Sequence, residues 1–396
     1  MIDDGAERRP FYILPVIVIS QFAGTSLWFA SNAVLSDLQR IWGLPVDAIS
    51  YMTSSVQLGF ITGTLAFAFF TISDRYSPRI IFFVCSLLGA LFNFSFYLFA
   101  DNFTSLLILR SLVGVCLAGI YPIGMKIASG WYREGLGNAL GFLVGALVVG
   151  TSFPHFLRSL SHDVQWESVM LTISIVAASG GVLMALLVPD GSYLTKGTPF
   201  SRRALAMIFR SKELRAATFG YFGHMWELYT FYTFLPFVLS AYAAANLSGS
   251  LNISLWSFAI IAAGSIGCVG GGIISKRIGS AKVAWVQMLC SGLLCLCSPL
   301  LFQLPTEVFL GLLLLWGIVV VGDSPQFSAL IASDAPKELV GSALTIGNCI
   351  GFAITIVSIQ LTSYLSHLVA SEFIFTLLMI GPVLGLVAFR PLLKIN

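Results

Sequence analysis

Apolar runs of about 20 residues recur along this chain, separated by short polar loops, and none of the long runs shows the alternation of a half-buried strand. A helix rises about 1.5 Å per residue, so each run is long enough to cross the roughly 30 Å hydrocarbon core of a bilayer. Windows of about 19 residues predict twelve spans: 12–36, 48–72, 79–100, 104–128, 137–157, 167–188, 214–240, 252–274, 283–302, 308–332, 341–364 and 372–389. The longest polar stretch, 189–213, divides them into an amino-terminal bundle over 1–188 and a carboxy-terminal bundle over 214–396. The predicted fold class is therefore an all-α integral membrane protein, with twelve transmembrane helices arranged as two six-helix bundles.

Composition agrees: 57% of residues are hydrophobic and 10% charged, against about 25% charged in soluble domains. The net charge of +3 is scattered over loops, so no nucleic-acid partner is implied. With the amino terminus inside, the inner segments hold Arg8, Arg9, Arg75, Arg79, Arg133, Lys196, Arg202, Arg203, Arg210, Lys212, Arg215, Lys276, Arg277, Lys282, Lys337, Arg390 and Lys394. The outer segments hold Arg40 and Arg158, a bias that predicts a multi-pass protein of the inner (cytoplasmic) membrane with both termini cytoplasmic. All seven cysteines fall in apolar runs and read as small core fillers, so no metal or other cofactor is expected.

The two halves repeat. Gly119-Ile120-Tyr121-Pro122 returns as Gly322-Asp323-Ser324-Pro325, and Ile127-Ala128-Ser129 as Ile331-Ala332-Ser333. Gly137-Asn138-Ala139-Leu140 is echoed by Gly341-Ser342-Ala343-Leu344, at a similar offset of about 203 residues. Parallel repeats of this kind place a substrate cavity between pseudo-symmetric halves.

With these repeats, the loop Asp74-Arg75-Tyr76-Ser77-Pro78-Arg79 resembles the signature between spans two and three of the major facilitator superfamily, with Phe70 and Ser77 in place of its usual glycines. Lys276-Arg277-Ile278-Gly279 resembles its second-half counterpart, with lysine where the acid would stand. The resemblance implies the two-bundle fold, transport by alternating access, and a conformational latch at Asp74, Arg75, Arg79, Lys276 and Arg277. Tyr121-Pro122, Lys126 and Gly130-Trp131-Tyr132-Arg133-Glu134 are similar to the span-four ending of organic-anion and nitrate-type porters. The arginines that hold nitrate in spans two and eight of those porters have no counterpart here.

Two carboxylates fall mid-membrane, Glu227 in span seven and Asp323 in span ten. A buried charge there costs several kcal/mol unless it is protonated, paired or wetted, so both are candidates for proton coupling. His224 lies three residues before Glu227, on one helical face with Gly220, Gly223, Thr230 and Phe234, and joins them. Arg110 in span four offers a planar fork for an anionic substrate, a tether to backbone carbonyls being its alternative role. Lys126, about 160° further around an ideal helix, is expected to snorkel to the inner surface.

Span one carries a polar stripe, Gln21, Thr25, Trp28 and Asn32, expected to face water or substrate. Gln57, Gln326 and Asn348 make shorter stripes on spans two, ten and eleven, each facing substrate or bonding another helix. Glycines at small-xxx-small spacing (Gly137, Gly141, Gly145; Gly267, Gly271; Gly347, Gly351) are expected to let helices cross closely and slide, as packing and rocking surfaces. No phosphate-binding loop or nucleophile with a base stands out, which argues against an enzyme and against ATP as the energy source.

The sequence thus predicts a monomeric secondary transporter moving a small, anionic organic solute, with protons and membrane lipid as its other partners. An efflux antiporter for amphipathic or cationic compounds is the alternative.

Overall fold

In an apolar slab every backbone N–H and C=O must find its partner within the segment, which leaves helices as the open-ended solution. All regular elements among the described residues are helical. The structure is a computed structural model describing residues 10–99, 102–132, 135–160, 165–194, 200–247 and 249–393. Arg8, Arg9, Arg133, Lys196 and Lys394 of the basic bias, and Glu134 of the span-four ending, lie outside the described residues.

Among the described residues, eleven segments are long and apolar enough to cross a membrane, and a shorter apolar helix, Ile13–Thr25, precedes them. Spans two, three, five and six are Ala48–Phe69, Pro78–Phe99, Leu136–Ser159 and Trp166–Leu187. Spans seven, eight, nine and eleven are Lys212–Asn246, Ile253–Ile278, Ser280–Leu301 and Val340–Leu365. The connection between the halves contains a helix of its own, Arg203–Arg210.

Hydropathy windows predict uninterrupted spans, but three are broken. Span one consists of Ile13–Thr25, Ala30–Ala33 and Leu35–Trp42. The Thr25 hydroxyl donates back to the Gln21 carbonyl at 2.8 Å and Ser26 to that of Ala23 at 2.7 Å, competing with the helical ladder. The chain then tightens into an i−3 turn, Trp28 N to Thr25 O. Span four breaks between Phe103–Ala118 and Tyr121–Trp131, and span ten between Thr306–Gly322 and Ser324–Asp334. These last two breaks fall on the repeated Gly-x-x-Pro motif, whose proline enters the first turn of the second segment in each case. Span twelve begins as two 3₁₀ turns, Ser371–Phe373 and Phe375–Met379, before Ile380–Leu393.

Within each half, glycines let one pair of helices approach at backbone distance. A methyl group at Gly59 would collide with the Ser111 carbonyl and one at Gly114 with that of Val56, locking spans two and four together. The second half repeats the device in spans eight and ten, with Gly267 against Ile318 and Gly317 against Ile260. Of the expected rocking glycines, Gly141 and Gly145 do face across the halves, towards Cys268, Val269 and Ser265 of span eight. Gly267 packs instead on span ten and Gly351 on Tyr221 and Met225 of span seven, both inside the carboxy-terminal half. Small residues at that spacing mark close packing without saying which neighbour is packed.

Gly267→Ala should lower stability by about 1–3 kcal/mol through overpacking against a backbone that cannot yield. Gly272→Ala, with only the Gly137 carbonyl 3.9 Å away, should be neutral or slightly stabilising. Thermal unfolding of the two purified variants in detergent compares them directly, and equal midpoints would contradict the close-approach account.

Candidate functional site

Span seven is buried through most of its length, so its polar residues are sorted among different neighbours. His224 Nδ1 lies 2.8 Å from Asp323 Oδ1, both side chains almost fully buried. Asp323 sits at the break of span ten, where its carbonyl accepts from Gln326 N at 2.9 Å and Phe327 N at 3.0 Å. The repeat therefore places a carboxylate at the helix break in the second half, where the first half has Ile120.

Glu227 points elsewhere. Its Oε1 accepts from the Trp316 indole N–H at 2.9 Å, from the Ser291 hydroxyl, and from the Cys295 thiol at 3.3 Å. All three donors are neutral and belong to spans nine and ten of the same half. The expected shared face of His224, Glu227, Gly220, Gly223, Thr230 and Phe234 is thus divided. Gly220 abuts Phe327 and Phe389, Gly223 abuts Gly381, and Thr230 donates to Ser358 at 2.8 Å on span eleven. A helix enclosed on every side presents each face to a different neighbour, and spacing alone does not separate them.

At mid-depth the two halves meet through aromatic rings. Trp28 stacks on Tyr229 at 5.6 Å and on Phe352 at 5.7 Å, and Phe60 lies 4.5 Å from Phe352. These rings come from spans one, two, seven and eleven, all buried. A cavity of about 520 Å³ opens on the linker side, walled by Phe67, Asp74, Lys126, Lys337, Ser342 and Thr345 among others. A second, of about 420 Å³, opens on the opposite side, walled by Asn32, Asp47, His155, Phe234, Ser257 and Ser363 among others. None of the four rings lines either cavity.

The span-one stripe does not survive as drawn, because the helix breaks between Thr25 and Ala30 and the ideal wheel no longer applies. Thr25 is used within the backbone, and the Asn32 amide donates to Thr53 at 2.8 Å. Gln21 and Gln57 are fully buried, with both amide atoms unpartnered, and the Trp28 indole N–H is likewise unpartnered. Unpaired buried groups of this kind cost about 1–3 kcal/mol each, which marks these three, with the unpartnered hydroxyls of Ser20 and Thr64, as span-one and span-two groups suited to meeting a ligand or water. Gln326 is buried and Asn348 half-buried.

Arg110 is a correction. The structure turns its guanidinium away from both cavities and onto span one, where it donates to the Leu27 and Trp28 carbonyls at 2.8 Å each, and to Asn93 Oδ1 at 3.2 Å. The break in span one frees those carbonyls, and a buried cation is the nearest donor able to satisfy both. Lys126 does not snorkel freely. Because span four breaks before it, Lys126 reaches the linker-side cavity and bonds Asp74 at 2.5 Å and the Ser73 carbonyl at 2.6 Å.

In the loop expected to form the latch, Arg75 Nε donates to Thr71 at 3.1 Å. Among the described residues Thr71 is the non-glycine with positive φ, at 52°. A β-branched residue in that region is strained, so the turn before Asp74 stores the cost a glycine would avoid. Arg79 lies at the start of span three, while Lys276 and Arg277 end span eight. On the opposite side the halves are joined by His367 Nε2 to Asp47 at 2.7 Å and by Gln360 to Ser54 at 2.8 Å.

The sequence reading missed Ser291, Trp316, His155, Lys337 and the Asp47–His367 pair. Ser291, Cys295 and Ser298 at i, i+4, i+7 in an apolar span were the legible signal for the first.

The match to known proteins fits this geometry. The family model of the Major Facilitator Superfamily matches residues 17–359. The chain belongs to the major facilitator superfamily. Members are secondary transport proteins and not enzymes. A relative, the uncharacterised MFS-type transporter YybF of Bacillus subtilis (strain 168), is 24% identical over 191 residues, covering 47% of this chain and 38% of its own length. The chain thus matches well under half of that relative.

Arg110→Met, which keeps the apolar stem but removes the donors, should cost about 2–6 kcal/mol by leaving two buried carbonyls unpaired. Thermal unfolding measures it, and an unchanged midpoint would contradict the tethering role.

Proposed function

We propose that this chain is a proton-coupled secondary transporter, with its linker face cytoplasmic, that moves a small organic solute by alternating access. The observation that carries the reading is the Asp323–His224 pair, 2.8 Å apart and buried at the break of span ten. A protein-interior acid and base in contact can redistribute a proton when the local dielectric changes, and an opening cavity changes it. Glu227 is the second proton-exchanging group. Its neutral donors can stabilise a carboxylate without locking it to a permanent charge.

The solute would sit where the aromatic layer now closes, with Trp28, Gln21 and Gln57 offering a ring face and free amide groups. Neutralising Asp323 or Glu227 before the halves rock avoids carrying an unpaired charge through a dry interior. The anionic preference rests on Lys126 and Lys337, which line the linker-side cavity from opposite halves, Asp74 offsetting the charge of Lys126. The efflux reading for amphipathic cations is kept because the rings and acids at mid-depth suit a flat cation.

Two measurements decide. A thermal-unfolding screen of the purified protein against organic acids and against lipophilic cations should show stabilisation by acids, reaching about 2.7 kcal/mol at a hundredfold excess over Kd. Stabilisation by the cations alone would favour efflux. In proteoliposomes, Asp323→Asn should abolish accumulation of the selected acid driven by a pH gradient, yet leave counterflow exchange at zero gradient partly intact. Gradient-driven accumulation at the wild-type level would contradict the coupling role.

A further inference from the structure

We propose that protons reach Glu227 through the interior of the carboxy-terminal half, along span nine, and not through the solute passage between the halves. The proposal rests on the reading above that Glu227 exchanges protons.

Neither cavity between the halves is lined by Glu227 or by any residue of span nine. What Glu227 does face is a row of small polar groups. Ser291, Cys295 and Ser298 recur at i, i+4, i+7 and share one side of span nine, each 3% exposed or less. Ser291 donates to Glu227, the Cys295 thiol lies 3.3 Å from it, and Ser298 lies two turns closer to the face opposite the linker. Trp316 ties the near end together, its N–H lying 2.9 Å from Glu227 Oε1 and 3.1 Å from Ser291 Oγ.

Beside that indole is a void of about 10 Å³, lined by Ser298, Trp316, Phe375, Ser371 and Glu372 among others. That is room for about one water. Ser298 Oγ is 3.0 Å from Thr376 Oγ1 and donates to the Glu372 carbonyl at 3.4 Å. Glu372 stands at the start of span twelve, half-buried, at the mouth of the void. Read from the surface inward, the order is Glu372 and Thr376 beside Ser298 and the water-sized space, then Cys295 about one turn further in along span nine, whose thiol, like the Ser291 hydroxyl, reaches Glu227.

The step balances with O–H bonds alone. A hydronium at the mouth gives up one proton. Each hydroxyl, thiol or water on the way accepts a proton on one side and releases its own on the other. The Cys295 thiol proton passes to Glu227, whose carboxylate becomes a carboxylic acid, and the thiol is re-protonated from the Ser298 side. The titratable neighbours of Glu227 are His224 on its own helix, Asp323 on span ten and Cys295 on span nine, with Glu372 on span twelve at the mouth. Routing protons behind the aromatic layer lets the acid load while the solute passage is shut.

The test is time-resolved infrared spectroscopy of the full-length protein in detergent after a jump to acid pH. The carboxylic-acid carbonyl band that vanishes in Glu227→Gln reports Glu227. Ser298→Val should slow its appearance about tenfold or more, as when one relay step adds about 1.4 kcal/mol to the barrier, with the titration midpoint unchanged. Ser298→Thr, which keeps the hydroxyl, should restore the rate. If Ser298→Val does not fold, Glu372→Gln at the surface should still slow the band severalfold. A wild-type rate in Ser298→Val, or in Glu372→Gln where that variant stands in, overturns the route while leaving the coupling reading intact. Absence of any Glu227 band across the pH range overturns both.

Discussion

A polar group enclosed in an apolar interior has no water to fall back on, so wherever a helix breaks inside this protein something else must take up the freed backbone bonds. Arg110 is the plainest case. Its two 2.8 Å bonds to the Leu27 and Trp28 carbonyls hold the broken span one, and a third, to Asn93, ties that break to span three. Asn93 in turn bonds Met170 and Ser174 on span six. One cation thereby connects four helices of the amino-terminal half. It also sets the position of Trp28, the ring on which the closure between the halves stacks.

The second half meets the same requirement differently. Its helix break at span ten carries Asp323, and the partner is His224, a group whose charge can change. Glu227 is held by neutral donors only among its described hydrogen bonds. The buried arginine therefore belongs to the amino-terminal half, and the buried acids to the half proposed to couple protons. The pseudo-symmetry makes the contrast visible, because the same Gly-x-x-Pro break holds Ile120 in one half and Asp323 in the other.

Closure between the halves combines two kinds of contact. At mid-depth it is aromatic, with Trp28 stacked on Tyr229 and Phe352. At the side opposite the linker it is polar, through Asp47 with His367 and Ser54 with Gln360, and such bonds are made or broken as a unit. On the linker side the strained Thr71 turn and the Lys126–Asp74 pair lie within the amino-terminal half.

The fold class was legible from the chain alone because a bilayer permits few solutions: long apolar runs must be helices, and an internal repeat must give related halves. Glu227 and Asp323 stood out for the same reason, as charges at a depth where charge is costly. Hydropathy could not reveal the breaks in spans one, four and ten, since an apolar window scores alike whether or not its ladder is continuous. The partners of each polar side chain were equally hidden. A helix wheel places His224 and Glu227 together, and only the packing of spans nine, ten, eleven and twelve around span seven sends one to Asp323 and the other to Ser291 and Trp316. Arg110 looked like a ligand group for as long as span one was taken to be whole. Tertiary structure decides these matters because each depends on which neighbour fills a given direction, and that is fixed by packing between segments far apart in the chain.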